Sequence, residues 1–427
     1  MHDEDIGYTE ENSDLISFSE NLRSEYFNTA ARLVSDRNKS ELNLFKNFAE
    51  CLGRSETELS SRPKYRTING YGNNLKHPFW GTPGTPFARF GPKNYDDEIH
   101  SIRKSVSGSE LPNPRRIVQE ILLKAQKNPR TSDTPNSLLN LLVLYVTHDL
   151  AHQVPVEAFD SQEKIRCCSG GNKNVLPPSL SHSSCLPVAV GKNDPFYGPA
   201  DVRCLNFVRS ELSTSPSRTQ YGEIMNKASA FMDQSIIYGT EEVQTQKVRT
   251  FSGGKMNLGP KNILPTDNLG KYTISSDRLT AIPLGAIFAV MFSRNHNNLA
   301  SSLEQLNTSW DDEKLFQEAR RINIALLQKF ILSGRVIEQV AKKRVNESYS
   351  ENFDPSVSVE FSTATYRFLH YFVQPDMLLI DENYENSSIP LSDTLGRIDI
   401  IENRFDDALR GILDQRANFG DYADEVR

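Results

Sequence analysis

One apolar run constrains this chain more than any other segment. Residues 137–153 read SLLNLLVLYVTHDLAHQ. They are apolar on nearly every side of a helical projection, so a helix here has to be buried all round. Thr134 and Pro135 stand before it as a predicted N-cap and first-turn proline. A buried helix needs neighbours, and the chain supplies them. Pro283 is expected to open the helix LGAIFAVMFSRNHNNLASSLEQL, and Ser309 to cap one that begins DDEKLFQEARRINIALLQKF. A fourth helix is expected to carry TATYRFLHYFV. Strand patterns are sparse, so the predicted fold class is mainly α, a helical domain with long loops and little β.

Residues 1–62 are polar with helix-like stretches and read as an N-terminal arm or peripheral helical segment. The remainder, 63–427, reads as the main domain. Its first part, to about residue 115, is rich in Gly, Pro and Asn, and a loop that long usually serves a function when ordered. Cys-, Pro- and Ser-rich loop returns over 160–220. Apolar residues make up 37% of the chain and the net charge is −7, which argues for a soluble protein without a nucleic-acid surface or a polybasic membrane anchor. No run approaches the roughly eighteen apolar residues of a transmembrane segment.

The first residues, MHDEDIGYTEENSD, are acidic and lack the apolar core of a secretory signal, which taken alone predicts a cytosolic protein. Two features predict the opposite. Glycosylation sequons stand at Asn38, Asn307, Asn346 and Asn386. Cys167, Cys168, Cys185 and Cys204 cluster, with only Cys51 elsewhere, and their spacing suits disulfides better than zinc. Reduced structural cysteines are the other reading. The expectation is a secreted, extracellular chain whose signal peptide is not visible in this sequence.

Three constellations could carry chemistry. His148 sits late in the apolar helix, with Asp149 beside it and His152 at i+4 on the same helical face. HDLAH approaches a zinc-protease pattern, which needs Glu where Asp149 stands, and a hydrogen-bonded core histidine is the plainer reading. Arg367 and His370 in TYRFLHYFV are three apart, so both can face one cavity; neutral imidazole can ligate haem iron, and Arg can pair with a propionate. In SAFMDQS, the residues Ser229, Phe231, Asp233 and Ser235 alternate. Two hydroxyls, a carboxylate and a backbone carbonyl form a hard oxygen set suited to Ca²⁺.

These segments together resemble the animal haem peroxidase family. YRTINGYGNNLKHPFWGTPGTPFAR is similar to its YRTxDGxxNN and WG-tP-R opening, THDL to its distal-histidine helix, and SAFMDQSIIYGTEE to its calcium loop. CLPVAVGKNDPFYGPADVRCLNFVRS, SRNHNNLA, EKLFQEARRI and YRFLH follow in the family's order, from about Tyr65 to Arg427. The resemblance implies a mainly helical fold and a peroxidase that reduces hydrogen peroxide and oxidises a phenol, tyrosine or other small donor. It implies His148 as distal histidine and Arg278 as distal arginine. It also implies His370 as the iron ligand, Arg367 as a propionate partner, and Asp149 joining Ser229, Phe231, Asp233 and Ser235 around calcium. Haem b and Ca²⁺ are the implied cofactors.

The chain also departs from the family pattern. Leu144 replaces a pocket glutamine, and Thr147 and Ala281 stand where ester-forming carboxylates occur, so haem is expected to be held non-covalently. Gly72 replaces a cysteine, leaving Cys51 without its expected partner, and Leu369 replaces a glycine before the proximal histidine. ADEVR aligns with the start of a helix leading to a conserved Asn and Arg, so the domain is read as incomplete at its C-terminus. These departures keep open an inactive extracellular matrix or adhesion protein on the same scaffold. Thr147 keeps open a cyclooxygenase-like oxygenase.

Overall fold

A computed structural model describes residues 63–97, 101–122, 130–157, 164–213, 223–268, 270–273, 278–281, 283–333 and 349–419. The expected arm over 1–62, with Cys51 and Asn38, lies outside them, as do Asn346 and the ADEVR end.

The elements that frame the interior are helical, as the apolar periodicity predicts. β1 (Arg130–Asn136) leads directly into helix α1 (Ser137–Leu150). Thr134 and Pro135 therefore belong to a strand, and Asn136 occupies the cap position. The proline's fixed φ suits an extended entry as well as a helical one, which is why it misplaced the start. The short strands β2 (Val188–Ala189) and β3 (Cys204–Leu205) pair antiparallel. A one-turn helix, α2 (Ser235–Tyr238), is followed by the two longest helices, α3 (Ala286–Leu306) and α4 (Asp312–Ser333). Pro283 opens a single 3₁₀ turn ahead of α3. Ser309 does not cap α4: the Asp311 carboxylate accepts from the Lys314 amide at 2.8 Å, a shorter reach from a residue nearer the helix. The expected fourth helix divides at Ala364 into α5 (Val359–Thr363) and a 3₁₀ segment, Thr365–Phe372. β4 (Asp376–Ile380) and β5 (Asn386–Pro390) form a hairpin, α6 (Ile398–Asp414) follows, and β6 (Arg416–Phe419) returns to pair antiparallel with β1.

α4 buries Leu315, Phe316, Ala319, Asn323, Ile324, Leu327 and Ile331, the i, i+4 and i+8 stripe of a helix with one inward face. That stripe packs on α3, where the Phe316 ring lies 5.0 Å from His296. Tyr145 of α1 packs on Phe288 and Phe292 of α3, with ring centroids 5.9 and 5.5 Å away. α6 lies so close on β4 that a Cβ at Gly411 would stand 1.9 Å from the Leu378 carbonyl oxygen, so only glycine fits. The core thus gathers around α1, which sits between α3 and α6.

The cysteine-rich loop is cross-linked. Cys167 pairs with Cys185 (Cα–Cα 5.4 Å) and Cys168 with Cys204 (5.8 Å). Closing loops of this size contributes about 3 kcal/mol each in the chain-entropy picture.

Candidate active site

The end of α1 organises the site. Ala151 turns to extended backbone (φ −141°, ψ 123°), which stops the helix one turn after Thr147. His152 therefore leaves the helix, and the shared face expected for His148 and His152 does not form. The His152 amide instead donates to the Asn226 side chain at 2.8 Å. Arg278 grips this terminus: its guanidinium donates to the His148 carbonyl at 2.6 Å and the Ala151 carbonyl at 2.9 Å. A cation on the last carbonyls also suits the negative end of the helix.

His148 is half-buried, and its Nδ1 is enclosed with no hydrogen-bond partner among the described residues. Burial first, then the charges of Arg278, His152, Arg367 and His370, hold this imidazole down at about 3. It is therefore neutral across the physiological range. Leu144, one turn earlier, lines an apolar cavity of about 200 Å³ whose wall also carries Tyr366, His370, Met377, Leu395 and Ile412. Thr147 points elsewhere: it is buried, and its hydroxyl donates to the Leu144 carbonyl at 2.9 Å.

Asp149, on the same turn as His148, is wholly buried in a polar nest. Its carboxylate accepts from the Gln234 amide (2.9 Å), the Ile236 amide (3.2 Å) and the Ser235 hydroxyl (3.0 Å). Asp233 accepts from the Ser229 hydroxyl (2.7 Å) and the Ser235 amide (3.2 Å). The structure thus brings Asp149, Ser229, Asp233 and Ser235 together, with Phe231 on the same loop. Burial pushes Asp149 up to about 8, and the neighbouring Asp233 charge adds to the shift. Burial raises Asp233 as well, against the Ser229 hydrogen bond and the charges of Arg320 and Arg66. Two acids so placed, with the Ser229 and Ser235 hydroxyls, gather the oxygen donors that a hard cation prefers.

His370 and Arg367 lie on the 3₁₀ segment, where i and i+3 eclipse. Only His370 reaches the cavity wall. Arg367 is exposed, with its guanidinium 5.0 Å from the centre of the Tyr366 ring. The expectation that both face one cavity is corrected on that point. The tighter 3₁₀ winding and the Tyr366 ring hold the arginine on the outside.

Sequence reasoning overlooked a buried polar chain behind this site. Gln234, held in the left-handed region (φ 58°), passes from Asp149 to Asn323: its side-chain amide donates to the Asn323 carbonyl at 2.8 Å. Asn323 donates to the Tyr238 hydroxyl at 2.9 Å, and that hydroxyl lies 2.8 Å from His296 Nδ1. His296 Nε2 closes the chain on the Gly254 carbonyl at 2.9 Å. Burial holds His296 down at about 4, so neutral His296 donates at Nε2 and accepts at Nδ1. The signal available was His296, a polar residue on the inward face of α3.

Comparison with known proteins adds the lineage. Residues 65–423 match the family described as animal haem peroxidase. Chorion peroxidase of Drosophila melanogaster is 30% identical over 375 residues, covering 80% of this chain and 44% of that protein. Eosinophil peroxidase of Homo sapiens is 28% identical over 415 residues, covering 87% of this chain and 56% of that protein. The chain spans about half the length of these curated relatives. Among solved structures, peroxidase A from Dictyostelium discoideum superposes with a TM-score of 0.70 at 21% identity, covering 84% of this chain and 70% of that one. An Oryza sativa fatty acid alpha-dioxygenase does so at 0.62 and 17%, covering 96% and 71%. At such identities these two likenesses speak for the fold alone.

Proposed function

The chain belongs to the animal haem peroxidase family, and from that premise we propose a haem-dependent peroxidase that reduces hydrogen peroxide and oxidises a phenolic, tyrosine or other small donor. The observation that carries the proposal is His148: a neutral, enclosed imidazole with a free ring nitrogen, one helical turn from a leucine that shares an apolar cavity with His370.

These residues suit haem. The second imidazole stands on the apolar wall and would hold the iron, and Arg367 would serve a propionate at the rim. No carboxylate stands at Thr147 or Ala281, so attachment is non-covalent. When bound, haem supplies the redox capacity that peroxide cleavage requires. The protein supplies the proton handling. Neutral His148 takes a proton from the near oxygen of peroxide and returns it to the departing oxygen. Arg278, fixed on the His148 carbonyl, keeps positive charge beside that transfer and favours the charge that builds on the leaving oxygen. Asp149, Ser229, the Phe231 carbonyl, Asp233 and Ser235 would hold Ca²⁺, which would fix the helix turn presenting His148.

Residues 63–427 form the domain that carries these sites. Two disulfides in the loop that follows α1 suit an extracellular location, and exposed Asn386 is a sequon open to glycosylation. The second reading, a non-catalytic extracellular scaffold that keeps the cation loop, rests on the cavity. At about 200 Å³ it is smaller than the roughly 300 Å³ at which ligand pockets begin, and Leu144 adds bulk. The oxygenase reading rests on Thr147 alone, whose hydroxyl is turned onto its own helix.

The deciding experiment is the absorption spectrum of the chain expressed with haem available, before and after hydrogen peroxide. A Soret band that shifts with peroxide and disappears in His370→Ala supports the enzyme. A folded, calcium-binding chain without a Soret band leaves the scaffold.

A further inference from the structure

A larger cavity than the one beside His370 lies elsewhere among the described residues. Between the 63–73 loop and one face of α4 is a space of about 370 Å³, well within the size range of ligand pockets. Its lining carries four cations, Lys64, Arg66, Arg320 and Arg321, and not one carboxylate. In a chain of net charge −7 that concentration needs a reason.

Arg320 is the clearest sign of an absent partner. Its residue is 2% exposed, yet no carboxylate pairs with it among the described residues. Its Nη atoms donate to the carbonyls of Arg66 (2.8 Å) and Thr67 (3.2 Å), while Nε is buried with no acceptor. Asn73, on the opposite wall, likewise has its amide nitrogen enclosed and unpartnered. The Asp233 charge acts on Arg320 without a direct ion pair, and a desolvated guanidinium with a buried donor left unmet is costly. Arg66 has no ion-pair partner among the described residues. Two acids stand outside the lining: Asp233, whose charge acts on Arg66 and Arg320, and Glu318, engaged by the Tyr65 hydroxyl at 3.1 Å and by Arg321 at 3.6 Å.

We infer that this cavity is a binding site for a small multivalent oxyanion carrying phosphate or carboxylate groups. The Arg320 Nε and Asn73 amide donors, with the Arg66 and Arg321 guanidiniums, recognise its charged end; arginine forks match both oxyanion types. The volume holds about a dozen water-sized groups at roughly 30 Å³ each, so the ligand has an organic body as well as an anionic head. Tyr71 and Ile324 supply the apolar wall for that body. The inference is independent of the haem reading, since none of these residues lines the His370 cavity.

Calorimetric titration of the full chain with pyrophosphate, and separately with citrate, tests it. The expected result is saturable one-to-one binding of at least one probe, weakened at least roughly tenfold in Arg66→Gln/Arg321→Gln, as loss of charge-assisted bonds requires. Arg103→Gln, exposed and outside the cavity, keeps the wild-type affinity. Tighter pyrophosphate binding assigns the ligand to phosphoryl compounds, and tighter citrate binding to polycarboxylates. Absence of saturable binding by either probe overturns the site, as does unchanged affinity in a double variant with native circular dichroism. If the double variant loses its fold, Lys64→Gln, an exposed position, takes its place: weaker binding supports the site and unchanged binding overturns it.

Discussion

His148 and Asp149 are neighbours on one helical turn, yet they enter regions built in opposite ways. Around Asp149 every described donor finds an acceptor: two backbone amides and a hydroxyl converge on one carboxylate, and Ser229 and Ser235 do the same for Asp233. Around His148 the charged neighbours are cationic rather than acidic, a ring nitrogen has no partner among the described residues, and an apolar cavity lies one turn away. The first region fixes backbone and the second reserves space. The imidazole proposed as catalytic would need both, because a nitrogen kept free for a substrate cannot also anchor its own helix.

If that division holds, truncating the two regions has unequal cost. Asp149→Ala strands three donors in the interior, each worth about 1–3 kcal/mol, so a loss of about 3 kcal/mol or more is expected in urea denaturation. His370→Ala, at an exposed position, changes stability by no more than about 0.5 kcal/mol while removing haem binding. Equal losses would break the comparison. Next in size is the cation: calcium at a hundredfold excess over its Kd stabilises by about 2.7 kcal/mol, read as a higher Tm. Asp233→Asn abolishes that gain. A wild-type Tm indifferent to calcium and chelator alike removes the cation from the account.

The His148 side is sharpened by pH. Its imidazole is depressed from 6.5 to about 3 in the folded chain, and His152 likewise, by burial first and then Arg278. Below pH 6.5 the unfolded chain binds protons that the folded chain refuses, so stability is full above that pH and falls as pH drops toward 3. Between pH 6.5 and 5.5 each group accounts for about 1 kcal/mol of the loss. His148→Asn flattens this slope, and a slope unchanged by that substitution would mean the imidazole is solvated. Leu144→Gln, a partly buried position, has an effect of similar size: stability falls by about 1 kcal/mol, while peroxide changes the haem spectrum faster than in wild type. A slower change counts against Leu144 as the residue that restricts the site.

The helices were legible because their apolar spacing is dictated by burial, which acts residue by residue. The oxygens of SAFMDQS were legible as a cluster for a similar reason, since alternation is a local pattern, and Ser229, Asp233 and Ser235 do come together. What escaped was non-local. Nothing near Asn323 announces that it bonds Gln234 across 89 positions, and nothing near Arg66 announces that its carbonyl receives Arg320. Arg367 was misjudged because i, i+3 spacing fixes angular position but not how far out the tighter 3₁₀ winding and Tyr366 leave the guanidinium.

The pairing of β1 with β6 has a consequence for the order of events in biosynthesis. α1 begins where β1 ends, and its first residues are held from the far end of the chain: Ser137 donates to the Gln415 carbonyl at 2.8 Å, and the Asn136 side chain to Leu413, 277 positions away. A nascent chain therefore cannot seat the helix bearing His148 until the segment through Phe419 has left the ribosome. Until then a strongly apolar helix waits without its lid, for tens of seconds at a synthesis rate of about 5–20 residues per second. That interval is when a chaperone has most to protect.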